Sequence, residues 1–256
     1  MKRLMIFGMG YTASRIAAVL RGQGWVVDGT GGAGNLDFTD ETAVRAALAR
    51  ASHILACAPP ADGADPVLGL YGDALGHEWL GYLSSTGVYG DTGGAWVDES
   101  APTGTGRRTA RTQADGAWLK RGARVFRLPG IYGPGRSAFD RLRARAAKRI
   151  DLPEQVFCRV HVDDIVSGVI AGLEGASGAY NLSDDLPAGQ NAVIEEACAI
   201  MGIQPPPLQS LEDAGLSPAA RDFYGENRRV ANGKAKRMLG WKPAYPDFKA
   251  GLRSLM

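Results

Sequence analysis

An apolar run, Leu4-Met5-Ile6-Phe7, leads through glycines 8 and 10 into residues 14–21, where Ile16, Val19 and Leu20 share one helical face. Gly22 and Gly24 supply the stop of that helix. Trp25-Val26-Val27 predicts a second strand, and residues 29–34 make a compact connection to a third at Asn35-Leu36-Asp37-Phe38. A helix follows over 40–50, with Thr39 or Asp40 as its cap. Residues 53–58 predict another strand, ended by Pro59-Pro60, and residues 79–84 and 124–128 predict two more. At least five strands thus precede residue 130 with helices mostly between them. This order implies an α/β fold with a parallel sheet covered on both faces.

Composition narrows the class. The 256 residues suffice for one large domain, or one domain with a smaller lobe. The 29 basic and 27 acidic side chains nearly cancel, which gives no global pull toward nucleic acid or membrane and favours a small-molecule partner. Cys57, Cys158 and Cys198 lie far apart without a Cys-x-x-Cys pair, so neither a disulfide framework nor a zinc site is indicated, and all three read as core thiols. His53, His77 and His161 show no metal-ligand spacing, so no metal is expected. Residues 4–7 are too short for a signal-peptide apolar region, and no apolar run approaches 18 residues. A cytoplasmic, soluble protein is the expectation.

The first strand-to-helix junction carries the clearest chemistry. Gly8-x-Gly10-x-x-Ala13 follows a strand and opens a helix, the context that a dinucleotide-binding turn requires. Gly8 can take the positive φ of a tight turn, Gly10 has no Cβ to block a pyrophosphate, and Ala13 is small enough for close packing of helix on strand. Tyr11 and Thr12 stand where the first helix amides would face phosphates. Asp28 lies near the distance at which an acid would bind a ribose, but also reads as an outward-facing strand residue. No arginine occurs between Arg21 and Arg45 to clamp a 2′-phosphate, so the choice between NAD and NADP stays open.

Further motifs follow in order. Leu83-Ser84-Ser85-Thr86-Gly87-Val88-Tyr89-Gly90-Asp91, then 127–135 (Arg-Leu-Pro-Gly-Ile-Tyr-Gly-Pro-Gly), 160–165 (Val-His-Val-Asp-Asp-Ile), Tyr180-Asn181-Leu182 and 234–243 (Lys-Ala-Lys-Arg-Met-Leu-Gly-Trp-Lys-Pro) together resemble the extended and atypical short-chain dehydrogenase/reductases, the NAD-dependent epimerase/dehydratase family. The resemblance covers nearly the whole chain. It implies a Rossmann-type doubly wound parallel sheet with a small C-terminal substrate lobe. Residues 1–130, rejoined by about 155–185, would form the NAD(P)-binding domain, and 131–154 with 186–256 the lobe. It further implies Asp37 and Phe38 at the adenine, Ala58 and Pro59 beside the cofactor ribose, and Pro129 on the strand passing the nicotinamide. Pro205-Pro206-Pro207 would mark a stiff connection inside the lobe. Homodimerisation through helices flanking the sheet is common among extended members.

Members of the family use a Ser or Thr with a Tyr-x-x-x-Lys pair, in which the ammonium lowers the phenol's pKa for proton exchange with a substrate hydroxyl. Ser85 matches the serine. The pair is missing: no tyrosine occurs between Asp98 and Leu119, and aligning Asp115 with the family's acid places Arg107 and Arg111 at the tyrosine and lysine positions. An arginine cannot act as a base near neutral pH. Three readings remain: an NAD(P)-dependent enzyme whose acid/base group is Tyr89, Tyr132 or Asp91; a non-catalytic NAD(P) sensor or regulatory module; or an enzyme whose two arginines grip an anionic substrate such as a nucleotide sugar. Oxidoreductase chemistry ranks first.

The basic stretch at 136–149 holds six cations against Asp140, and reads first as a solvated helix face and second as a surface for phosphate or carboxylate. Arg228 and Arg229 stand where sugar-nucleotide members often contact a diphosphate. Phe139 alone interleaves the basic stretch, which disfavours nucleic acid.

Overall fold

The structure, a computed structural model, describes residues 2–106 and 109–256. In chain order its elements are β1 (Arg3–Phe7), α1 (Tyr11–Gly22), β2 (Val26–Gly29), α2 (Glu41–Arg50), β3 (His53–Ala56), α3 (Pro66–Tyr71), β4 (Trp79–Ser85), β5 (Trp96–Val97), α4 (Thr109–Lys120), β6 (Arg124–Leu128) and β7 (Gly130–Tyr132). There follow α5 (Ala138–Arg143), β8 (Arg149–Ile150), β9 (Arg159–His161), α6 (Val162–Ala171), β10 (Gly178–Asn181), α7 (Gln190–Met201), β11 (Leu208–Gln209), α8 (Pro218–Asp222), β12 (Arg229–Val230), α9 (Gly233–Leu239) and α10 (Phe248–Arg253).

The central sheet has six parallel strands in the order β10-β6-β4-β3-β1-β2. The chain winds from β1 outward to β2 on one side and to β3, β4, β6 and β10 on the other. The crevice beyond the carboxyl ends of β1 and β3 is therefore the switch point where open α/β sheets bind ligands. Both faces of the sheet are covered, which explains the unbroken apolar run of β1. Leu4 and Ile6 pack with Ile16 and Leu20 of α1 and Ile165 and Val169 of α6. Met5 and Phe7 point the other way, onto Val44 and Leu48 of α2 and Trp118 of α4.

Two segments depart from the sequence reading. The strand expected at 35–38 is reduced to one parallel bridge, Thr30 with Leu36. Asp37 instead accepts hydrogen bonds from the backbone and hydroxyl of Thr39, and Asp40 caps α2 through the Ala43 N–H, so the chain turns where it was expected to extend. The segment 233–241, expected in the lobe, returns to the sheet: Ala235 and Trp241 are buried with α6, and the Trp241 indole donates to the Asp164 carbonyl. The remaining C-terminal helices build a separate small core, in which Ala138 and Phe139 of α5 meet Val193 and Ala197 of α7 and Phe248 and Leu252 of α10.

Candidate active site

Gly8 sits at φ +86°, and a Cβ there would come within 2.7 Å of the Ala58 nitrogen. The turn can pass β3 this closely only as glycine. Gly10, the N-cap of α1, has no side-chain cap, and a Cβ built on it meets nothing within 4 Å. Its missing side chain faces open space in a cleft of about 1200 Å³ that Gly8, Tyr11, Thr12 and Ala13 also line. Uncapped helix amides beside such a gap suit the phosphates of a dinucleotide. Pro59 and Pro129 line the same cleft. Ala58 lies against Gly8 and donates its N–H to the Phe7 carbonyl. Asp37 is exposed and its carboxylate is turned onto Thr39, while Phe38 is half-buried edge-on to Phe7 and Tyr71. Neither of these two lines the cleft.

Across the cleft, β4 ends in Ser84 and Ser85. The Ser85 hydroxyl accepts the Gly87 N–H at 3.1 Å, which leaves its own proton free to donate. The Ser84 hydroxyl instead donates to Asp115 at 2.6 Å. Arg111 lies one turn before Asp115 on α4, lines the cleft, and donates to the Tyr82 hydroxyl at 3.0 Å. Arg107 lies outside the described residues.

Beneath Ser84 runs a buried polar chain that was not expected from the sequence. Arg127, 3% exposed, forks onto both oxygens of Asp115, 1% exposed, at 2.7 and 3.0 Å. Its third bond goes to the Tyr89 hydroxyl at 2.9 Å, which donates onward to Asn181 at 2.8 Å. Tyr89 thus belongs to this interior chain and not to the cleft wall, and burial raises its phenol above the ordinary range. The signal was available in part, since Asp115 was aligned to a family acid, but its partner in the next strand is a tertiary fact. Neither of the other proton-transfer candidates offers its acid/base group to the cleft. Tyr132 lines the cleft with its ring, but its hydroxyl is buried against Gly251, and burial pushes its pKa up. Asp91 accepts the N–H groups of Asn227 and Gly93, which hold it below the usual carboxylate range.

The cleft is also lined by Arg136, Arg141 and Lys148 from the basic stretch and by Arg228, among apolar side chains including Phe157 and Tyr224. The Arg228 guanidinium bonds Glu226 and the Gly90 carbonyl, and Arg229 bonds the Gly94 carbonyl. Cys57, expected in the core, is half-buried on the cleft wall, whereas Cys158 and Cys198 are buried. Among the described residues no group of three His, Cys, Asp or Glu side chains could hold a metal ion, and no helix is long and apolar enough to cross a membrane.

No protein-family model matches the chain. It is similar to a functionally unknown conserved protein from Silicibacter pomeroyi DSS, with 38% identity, 100% of this chain and 98% of that one covered, and a TM-score of 0.89. A 3-diazoavenalumate denitrifying reductase from a Streptomyces species is 33% identical over 141 residues. That match spans 50% of this chain and 45% of the reductase, less than half of the reductase's own length. Solved epimerases and dehydratases share the fold at lower identity. The dTDP-glucose 4,6-dehydratase of Bacillus anthracis str. Ames, in complex with NAD, is 15% identical, with 100% of this chain and 95% of that one covered and a TM-score of 0.79.

Proposed function

The chain belongs to one family with the functionally unknown conserved protein of Silicibacter pomeroyi and has the epimerase/dehydratase fold, and we propose that it is an NAD(P)-dependent reductase of a small anionic substrate. The observation that carries this reading is one shared cleft, with the open N-terminus of α1 at Gly10 on one side and Ser85 with Arg111 on the other. A bound nicotinamide dinucleotide would supply hydride there. Gly8, Gly10 and the first amides of α1 would hold its phosphates, with Tyr11, Thr12 and Ala13 shaping the turn, Pro59 and Pro129 flanking the rest, and Ala58 backing Gly8.

Proton chemistry is one ground for writing the reaction as a reduction. Oxidising an alcohol requires a group to take its proton, a task for which a guanidinium is unsuited. Reduction puts negative charge on the substrate, which the Ser85 hydroxyl can meet as a donor and Arg111 as a fixed cation; water supplies the proton. The partial match to a denitrifying reductase supports a reductive step. An anionic substrate is supported by Arg111 and Arg141 among the residues that line the cleft. Tyr89 is assigned to the buried support of the site, not to proton transfer, and the cytoplasm is the proposed location.

Calorimetric titration with NAD, NADH, NADP and NADPH tests the reading. Micromolar binding of one of them is expected, together with turnover of a carbonyl-acid panel that Ser85→Ala lowers by roughly 100-fold. Binding without any response to a second ligand would favour a non-catalytic sensor, the reading that the missing Tyr-x-x-x-Lys pair supports. No dinucleotide binding at all would make the glycine turn mere architecture.

A further inference from the structure

We infer that Arg136, carried by the C-terminal lobe, is a ligand of the dinucleotide pyrophosphate, an inference that rests on the proposed dinucleotide site. Gly133 and Arg136 close a tight turn by exchanging backbone bonds at 3.2 and 3.0 Å, with Gly135 at φ +73°. This turn is pinned to the first residue of α1. The Tyr11 hydroxyl donates to the Pro134 carbonyl at 3.1 Å, and a Cβ on Gly133 would stand 2.7 Å from that same hydroxyl. The Arg136 guanidinium consequently lies 5.9 Å from the centre of the Tyr11 ring, lining the cleft into which Gly10 opens.

Two observations assign it an anion. The first is its lack of a partner. Arg15, also over the Tyr11 ring, pairs with Asp163 at 3.0 Å. Arg228 pairs with Glu226, Arg159 bonds the Phe157 and Ala188 carbonyls and Gln190, and Lys148 bonds the Ala214 carbonyl. The exposed Arg136 guanidinium has neither a hydrogen-bond nor an ion-pair partner among the described residues. The second is its position beside the first residue of α1. The first turn of α1 contains no acid, so the exposed Arg136 cation and the uncapped α1 amides can both turn to one anion. A pyrophosphate held on one side by α1 amides presents its other oxygens outward, and the fork of an arginine matches two of them. Tyr11 is then a positioning residue that holds the turn bearing Arg136. Because that turn leads straight into α5, the bound phosphate would tie the lobe to the sheet.

ADP-ribose, which has the pyrophosphate but not the nicotinamide, is the probe. Arg136→Gln should keep the wild-type melting temperature, weaken ADP-ribose by about tenfold, and reduce the salt dependence of binding; Arg136→Lys should recover part of the affinity and the salt slope. Unchanged ADP-ribose affinity in Arg136→Gln, with the wild type binding it, overturns the inference and leaves the dinucleotide reading standing. A raised KM for substrate with ADP-ribose unaffected would give Arg136 to the substrate instead, also against the inference. Failure of the wild type to bind ADP-ribose or any dinucleotide would remove both.

Discussion

The floor and the walls of the cleft treat charge in opposite ways. Under Ser84, the Arg127 guanidinium is paired with Asp115 and Tyr89, and Tyr89 donates its own hydrogen bond to Asn181. On the walls, Arg111 has Tyr82 and a long contact to the Leu83 carbonyl, and the Arg136 guanidinium has no hydrogen-bonding partner among the described residues. A charge shut away from water must be paired where it lies, whereas one facing a wet cleft can wait for a ligand. Pairing therefore marks structure here, and lack of pairing marks the candidate function.

The largest effect should come from breaking the floor. Asp115→Ala leaves Arg127 buried without its carboxylate and should cost about 3–5 kcal/mol, read as a lower urea midpoint. A loss below about 1 kcal/mol would mean that water reaches the floor and that the contrast is false. Next comes the glycine wall. Gly10→Leu starts from a Cβ position with no neighbour within 4 Å, so the unfolding midpoint should hold while dinucleotide affinity falls by at least roughly 100-fold. Retained affinity in a titration would detach phosphate binding from this turn. Arg111→Gln should be milder, lowering turnover by about 10- to 100-fold with little change in stability. A large fall in melting temperature would instead place Arg111 with the structural arginines.

How far the sequence disclosed this arrangement depends on the range of the cause. Gly8 and Gly10 were legible because a tight turn and an open helix start are local backbone demands, written in adjacent residues. The sheet was legible for the same reason, as Leu4 to Phe7 and residues 79–85 are apolar enough to be buried on both faces. The missing strand at 35–38 was not, since the Asx turn at Asp37 and the cap at Asp40 outcompete extension only in three dimensions. Nor was the fate of Tyr89. Its neighbours Ser84 and Ser85 suggested a cleft residue, but Arg127 and Asn181, 38 and 92 positions away, draw its hydroxyl inward. The basic stretch divides likewise, with Arg143 beside Asp140 on the surface and Arg136 directed to Tyr11.

One buried group stands outside the rule and offers the finest test. Asp184, 2% exposed just beyond β10, has no well-formed hydrogen bond to either carboxylate oxygen among the described residues. Burial raises its pKa to about 8, with Arg159 opposing the rise. If the floor tolerates only paired charge, this acid must be neutral in the folded protein. Between about pH 4 and 8 the folded chain then holds a proton that the unfolded chain has released, so unfolding sheds it and stability falls as pH rises through that window, levelling off above the folded pKa. The slope should be on the order of 1 kcal/mol per pH unit at most. Asp184→Asn cannot ionise and should remove this part of the slope, with its gain over the wild type largest near pH 8. Urea midpoints measured from pH 5 to pH 8 in both proteins would decide it. Parallel curves would mean that Asp184 is ionised in the fold and served by Arg159, in which case the floor has no exception.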